Sequence, residues 1–233
     1  MIRWEAEGCA VAFTTRVGGV SKGPYASLNL GRKSGDDVQR VDDNRRIVCE
    51  ALGVDVEKLA LNYQVHSDRV VRAVAGERGE RADGLWTDEP GLPILAMSAD
   101  CLPIALARVR ADRPAVAVLH AGWKGLLAGI VEAGVRALDG PELTAAVGPG
   151  IGPCCYEVGE EVAAPFRERF GDDVMRDGRL DLWTSAERAL RAAGVERIDR
   201  FDRCTFCRPE AFFSHRRDNG TTGRQGVIAY VTG

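Results

Sequence analysis

Seven short apolar runs constrain the fold most. They are VAFTT from Val11, RVVRAVA from Arg69, PILAMSA from Pro93, PIALARV from Pro103, AVAVLHA from Ala115, ELTAAVG from Glu142 and GVIAYVT from Gly226. Runs of this length, rich in Val, Ile, Leu and Ala and bounded by turn formers, read as β-strands. Helical periodicity covers VDDNRRIVCEALGV, with Ile47, Leu52 and Val54 on one side, and GLLAGIVEAGVRAL, with Leu127, Ile130, Val131, Val135 and Leu138. EEVAAPFRERF and SAERALRAAGV are two further helical stretches. Because the strands do not alternate strictly with helices, the pattern favours α+β over a doubly wound sheet. The expected architecture is a central mixed β-sheet with flanking helices. Without repeats, low-complexity tracts or a long linker, residues 1–233 read as one domain.

Composition then narrows the function classes. Lys plus Arg number 31 against 34 Asp plus Glu, a net charge of −3, so no basic excess exists to bind nucleic acid. No stretch approaches the roughly 20 apolar residues that cross a bilayer, and MIRWEAEGCA has no signal-peptide core. The expectation is a cytoplasmic protein without a membrane partner, with a monomer as the default oligomeric state. The seven cysteines, an odd number without scaffold spacing, are expected as thiols.

Only three histidines occur. His66 in NYQVHSD and His120 in VLHAGWKG sit at strand ends, and Cys101 follows Ser98-Ala99-Asp100 where a buried strand emerges. Imidazole and thiolate suit a borderline-soft ion, and three protein ligands with an open fourth position is the pattern of catalytic zinc. His66, Cys101 and His120 are therefore a candidate metal set. The same atoms admit a second arrangement, with Cys101 as thiolate nucleophile, His120 as its base and Asp100 or Asp83 as orienter, which is an amidase or acyl hydrolase.

Cys204-Thr-Phe-Cys207 is a lone C-x-x-C with no second pair to complete four structural ligands, and the adjacent Cys154 and Cys155 are expected in a pocket wall or the core. GPGIGP offers backbone N–H groups near a ligand, but no Gly-Lys-Ser/Thr follows, so nucleoside triphosphate hydrolysis is unsupported. The glycine-punctuated stretch from Gly18 to Gly31, which includes Asn29, is long enough to contact a ligand. Near the C-terminus Arg216, Arg217 and Arg224 lie beside Phe212 and Phe213. Guanidinium forks suit phosphate or carboxylate and a ring can stack on a base. The competing reading is a salt-bridged turn with both phenylalanines in the core.

Together, FTTRVGGVSKGPYASLNLG, NYQVHSD, ADGLWT, SADCLP, HAGWKG, GPGIGPCCYEVG and FFSHRRDNGTTGR resemble the peptidoglycan-editing-factor or YfiH-like family, formerly labelled multicopper polyphenol oxidases. The resemblance implies a single α+β domain and one zinc ion on His66, Cys101 and His120. It also implies phosphorolysis of adenosine, inosine and methylthioadenosine to free base and ribose 1-phosphate, with deamination of adenosine alongside. Purine nucleoside and phosphate are then the small-molecule partners. In that scheme Arg16, or Arg216 and Arg217, hold phosphate, Asn29 and Phe213 contact substrate, and Asp83 or Asp100 moves protons. One copper ion is the alternative metal, but three histidines are too few for a multicopper laccase. The rival activities are copper-dependent phenol oxidation and a cysteine-type hydrolase acting on peptidoglycan precursors. Ser98 stands where the family usually has Thr, Lys124 replaces the usual Arg after HAGW, and His215 replaces a usual Tyr. The last two bear on substrate preference.

Overall fold

The computed structural model describes residues 1–109, 112–140 and 142–233. Its strands are β1 (Ile2–Ala6), β2 (Cys9–Phe13), β3 (Ala60–Tyr63), β4 (Val70–Arg72), β5 (Arg78–Arg81), β6 (Gly84–Thr87) and β7 (Ile94–Ser98). They continue with β8 (Leu102–Arg108), β9 (Ala115–Ala121), β10 (Leu143–Val147), β11 (Met175–Arg176), β12 (Arg179–Leu180), β13 (Arg197–Arg200) and β14 (Gln225–Val231). The helices are α1 (Val38–Leu52), α2 (Trp123–Ala128), α3 (Ile130–Leu138), α4 (Glu160–Phe170) and α5 (Leu182–Ala192). No helix among the described residues is long and apolar enough to cross a membrane.

The class is α+β, as the irregular order of runs implies, but the strands divide between two mixed sheets rather than one. The first runs β1-β2-β14-β7-β3-β5 and the second β13-β10-β8-β9-β6-β4, with β11 and β12 a separate pair. The longest pairing, β8 with β9, is antiparallel from Leu102↔Ala121 to Arg108↔Ala115. A second departure from sequence expectation lies in GLLAGIVEAGVRAL, which forms two helices. Gly129, at φ +99°, caps α2 in the left-handed region and its N–H closes onto the carbonyls of Gly125 and Leu126.

Because side chains alternate across a strand, each sheet has two apolar faces to cover. Val11, Phe13, Ile94, Ala96, Val227 and Ala229 of the first sheet meet Leu85, Ala105, Ala107, Val116, Val118 and Ala146 of the second. The second sheet's other face, Leu102, Ile104, Leu106, Leu119 and Val147, packs on Leu126, Ile130, Val131, Phe166, Trp183 and Leu190 of α2–α5. The first sheet's outer face, Ala12, Leu61, Leu95 and Ile228, is covered by Val48 and Cys49 of α1 together with Leu28 and Leu30. The result is helix, sheet, sheet, helix. The functional cavity opens where the strands of the inner slot end.

Phe13 is the fully buried wedge of this slot, 5.6 Å from the Phe201 ring. A Cβ at Gly148 would fall 2.2 Å from its Cδ1, so the GPGIGP loop requires glycine there for room. Phe13→Ala is expected to cost about 3–5 kcal/mol in urea unfolding. Gly148→Ala is expected to destabilise through overpacking. Combining them should cost clearly less than the sum, since the vacated ring volume receives the new methyl. Additive losses would contradict this interlock.

Candidate active site

His120 ends the apolar march of β9. Val116 and Val118 on the same face sit in the inner slot, and the next inward position, where the strand runs out, is the imidazole, itself buried. Cys101 lies in the turn between β7 and β8, and His66 in the loop after β3. One nitrogen of each histidine and the Cys101 sulfur all lie within 4.8 Å of one another, and the two imidazole rings are edge to face at 4.9 Å. Gly122 makes room: a Cβ there would stand 2.8 Å from Cys101 Sγ and 3.2 Å from His66 Cδ2. That is the physical reason for glycine after His-Ala.

Asp83, just before β6, ties the two histidines together. Its carboxylate accepts from the backbone N–H of Val65, His66 (2.9 Å) and Ser67 (2.7 Å), from the Ser67 hydroxyl (2.8 Å) and from His120 Nδ1 (2.8 Å). The His120 backbone N–H also donates to the Asp83 carbonyl at 2.8 Å. His66 sits at φ +62°, a conformation of order 1–3 kcal/mol uphill for a non-glycine residue, and its N–H bond to Asp83 pins it there. With Nδ1 bonded to Asp83, His120 presents Nε2 to the site, the usual arrangement for a metal-ligating imidazole.

The electrostatics follow from this order. Burial pushes the Asp83 carboxyl up, but the bonds from His120, Ser67 and Val65 outweigh it and hold the group well below the usual carboxylate range. Burial likewise pushes the Cys101 thiol up, and the charges and hydrogen bonds of His120 and His66 bring it down to about 6. His120, lowered by burial, is raised by Cys101 and Asp83 to about 9. The mutual attraction of the two groups thus favours the thiolate and imidazolium forms of the pair over the neutral ones.

Asp100 shapes the other side. It lies at φ +87°, its carbonyl accepts from Ile151 N–H, and its carboxylate accepts from Thr205 Oγ1 (2.6 Å) and the Arg216 N–H (2.7 Å). Gln64, in the same loop as His66, brackets the Met97 backbone with both ends of its amide and extends the β3–β7 contact beyond the ladder. The donor set faces a cavity of about 830 Å³. Among the described residues, Arg32, Lys33, Arg78, Arg81, Arg216 and Arg224 line it, against one carboxylate, Asp100. In a chain of net charge −3, this concentrates positive charge on one wall. Lys33 and Arg78 lie over the Tyr63 ring at 4.5 and 4.9 Å, and Arg78 Nε is buried without a hydrogen-bond partner. Arg216 lies 5.2 Å over Tyr156.

Of the residues singled out from sequence, His66, Cys101, His120, Asp100, Arg216 and Arg224 reach the cavity wall. Asp83 acts from behind it. Arg16, Asn29, Phe213 and Arg217 do not reach the wall, and each has internal partners instead. Arg16 donates to the carbonyls of Ala26 and Pro209, and Arg217 to those of Thr205 and Phe212 and to Asp218. Phe213 is fully buried with its backbone bracketed by Gln225, which is the core reading of that segment. Asn29 is also fully buried, and its Oδ1 accepts from Gly31 and Arg224 N–H, so it positions cavity residues without touching the cavity. Lys124 lies over the ring of Trp123, a wall residue, without lining the cavity itself, whereas His215 lines it. Cys154 is exposed rather than in the core and meets Cys155, Cys204 and Cys207 in a second cluster. Arg32, Lys33, Arg78 and Arg81 escaped sequence reasoning. The only signal was that Lys33 is one of just four lysines among 31 cations.

A family model described as multi-copper polyphenol oxidoreductase laccase matches residues 10–232. The purine nucleoside phosphorylase YlmD of Geobacillus stearothermophilus is 37% identical over 96% of this chain and 90% of its own length. The purine nucleoside phosphorylase YfiH of Escherichia coli is 39% identical over 97% and 96%. A purine nucleoside phosphorylase of Deinococcus radiodurans is 44% identical over 93% and 87%. The crystal structure of the Geobacillus YlmD superposes with a TM-score of 0.89 at 36% identity, covering 97% of this chain and 93% of that one. The Neisseria meningitidis protein NMB0706 gives 0.90 at 33%, covering 100% and 99%.

The thiolate assignment is testable residue by residue. In chelator-stripped protein, alkylation of Cys101 followed by peptide mass spectrometry should be half-maximal near pH 6, since a lowered pKa keeps the thiolate down to that value. Cys9 and Cys49, pushed by burial up to about 11, should stay unreacted at neutral pH. A Cys101 midpoint at the ordinary thiol value of about 8.5 would contradict the pairing with His120.

Proposed function

The chain belongs to the multi-copper polyphenol oxidoreductase laccase family, and on that premise we propose that it is a zinc-dependent purine nucleoside phosphorylase. Its substrates are adenosine, inosine and methylthioadenosine, cleaved with phosphate to free base and ribose 1-phosphate. The supporting observation is a cavity that joins the His66, Cys101 and His120 donor set to six cations and a single carboxylate. Phosphate is the substrate that such a wall suits. The names carried by its relatives in Geobacillus, Escherichia and Deinococcus agree with this reading.

Phosphorolysis forms a phosphate–C1′ bond as the C1′–purine nitrogen bond breaks, so the protein must orient an anion and stabilise charge on the departing base. Arg78, with its unpartnered Nε, and Lys33 flank one side of the cavity over Tyr63. Arg216 is steadied by the Tyr156 ring and the Glu157 carbonyl, and Arg224 by Asn29. Tyr63 and Tyr156 add aromatic surface to the wall against which a purine can pack. His66, Cys101 and His120 fit one zinc ion, since three soft donors converge and Asp83 fixes the His120 tautomer. Zinc, when bound, supplies a Lewis acid and an acidified water. Asp83 and Asp100 are positioning residues: the oxygens of Asp83 already accept from the His66 loop and the His120 ring, and those of Asp100, beside Cys101, from Thr205 Oγ1 and the Arg216 N–H. Deamination of adenosine, which needs a carboxylate to shuttle protons, is the lesser activity because Asp100 alone lines the cavity. A single copper would suit the same donors, but a multicopper centre would need more imidazoles than three. Seven free cysteines suit a reducing compartment such as the cytoplasm.

The order Cys101, His120, Asp83 is also that of a cysteine hydrolase, and the lowered Cys101 thiol favours it as the second reading. Chelation separates the two. Adenosine with zinc-loaded protein should yield adenine only when phosphate is present, and none with Cys101→Ala. Arg78→Met should raise the phosphate KM about tenfold or more, the value of one charge-assisted hydrogen bond, with the nucleoside KM within about threefold. Turnover that survives chelation and dies on thiol alkylation would replace the phosphorylase by the hydrolase. Inosine as the main product without phosphate would replace it by a deaminase.

A further inference from the structure

Four of the six cysteines outside the active site, Cys154, Cys155, Cys204 and Cys207, come from segments 49 residues apart between Cys155 and Cys204, yet their sulfur atoms lie within 4.8 Å of one another. Cys207 Sγ is 3.5 Å from Cys154 Sγ and 3.2 Å from Cys155 Sγ. A tetrahedral zinc with Zn–S near 2.3 Å separates its sulfurs by about 3.8 Å, so the cluster has the size of a four-thiolate centre. We propose that Cys154, Cys155, Cys204 and Cys207 form a second, structural metal site for a zinc-like thiophilic cation.

The surrounding backbone is built to this end. Gly150 and Cys204 form a parallel bridge and Thr205 N–H donates to the Gly150 carbonyl, which fixes the two cysteine-bearing turns side by side. The Cys155 N–H closes its own turn onto the Gly152 carbonyl, and Arg217 braces the other turn through the Thr205 carbonyl. The Gly152 N–H donates to Cys204 Sγ at 3.3 Å, the kind of bond that stabilises thiolate charge. Gly152 also has no room for a side chain, since its Cβ would meet Trp183 at 2.5 Å and Cys154 Sγ at 3.3 Å. Four protein ligands close the coordination sphere, which marks a structural rather than a catalytic ion. Cys154 and Cys207 are exposed, so the ion can enter from solvent.

The centre would also brace the cavity wall. Thr205, between two of the ligands, donates to Asp100 Oδ1, and Tyr156, next to Cys155, lines the cavity. Binding replaces thiol protons by metal–sulfur bonds and releases those protons to solvent, with no redox change.

Protein prepared anaerobically, loaded with zinc and desalted should hold two zinc ions per chain. Cys207→Ser and Cys101→Ala should each hold one, and the double variant none. A measurement that leaves the cluster intact uses cobalt(II) in Cys101→Ala, where strong thiolate-to-cobalt charge transfer and tetrahedral ligand-field bands should appear, with a rise in melting temperature. Equal zinc in wild type and Cys207→Ser, or cobalt in Cys101→Ala without thiolate bands, would overturn the proposal. So would a Cys155–Cys207 disulfide in freshly prepared protein that holds no metal there.

Discussion

The Asp83 carboxylate is the constraint on which the rest of the site depends. Five donors from two separate stretches of chain, residues 65–67 and His120, converge on its two oxygens: three backbone N–H groups, one hydroxyl and the His120 ring. A buried carboxylate is costly when unpaired, and here the pairing removes that cost and makes the charge useful. The bonds keep Asp83 ionised far below neutral pH, so its contribution to stability is whole at neutrality and is lost only as acid titrates it below the usual carboxylate range. Without it the 65–67 turn would leave N–H groups unsatisfied, and nothing would choose between the tautomers of His120.

The two-sheet core supplies the rigidity that this knot needs. Strand β9 is buried along its whole length, and β8 pairs with it through all seven of its residues, so the β7–β8 turn and the end of β9 are held in one frame. That frame supports two non-glycine residues at positive φ, His66 and Asp100, each flanking or supplying a ligand. Strain of this kind persists where surrounding hydrogen bonds over-determine the backbone, as Asp83 and Thr205 do here.

Much of this was legible in sequence because strands announce themselves by length and apolarity, and chemistry-bearing residues at their ends stand out against them. His120 closes AVAVLHA and Cys101 follows PILAMSA, so both were identifiable before any coordinates. The cationic wall was legible only in part: Arg216 and Arg224 stood out in the sequence, whereas Arg32, Lys33, Arg78 and Arg81 did not. Arginine is common in this chain, and whether a guanidinium faces the cavity is decided by which carbonyls it can reach. Arg16 finds Ala26 and Pro209, Arg217 finds Thr205 and Phe212, and Arg78 is left with an unpartnered Nε. The cysteine cluster was hidden for a related reason. Its halves meet through one bridge between Gly150 and Cys204 that no local pattern encodes. Helix α2 ends at Gly129, but Gly125 and Gly134 in the same run stay helical, so glycine alone did not mark the break.

Asp83 bears on the site through His120 and the His66 loop rather than from the cavity wall, and Asp83→Asn tests that link directly because it preserves shape while removing charge. Zinc affinity at the His66, Cys101 and His120 site, measured by chelator competition in a Cys207→Ser background, should fall about 10–100-fold, with far-UV circular dichroism unchanged. Unchanged zinc affinity in a folded Asp83→Asn protein would contradict the claim that this carboxylate organises the metal ligands.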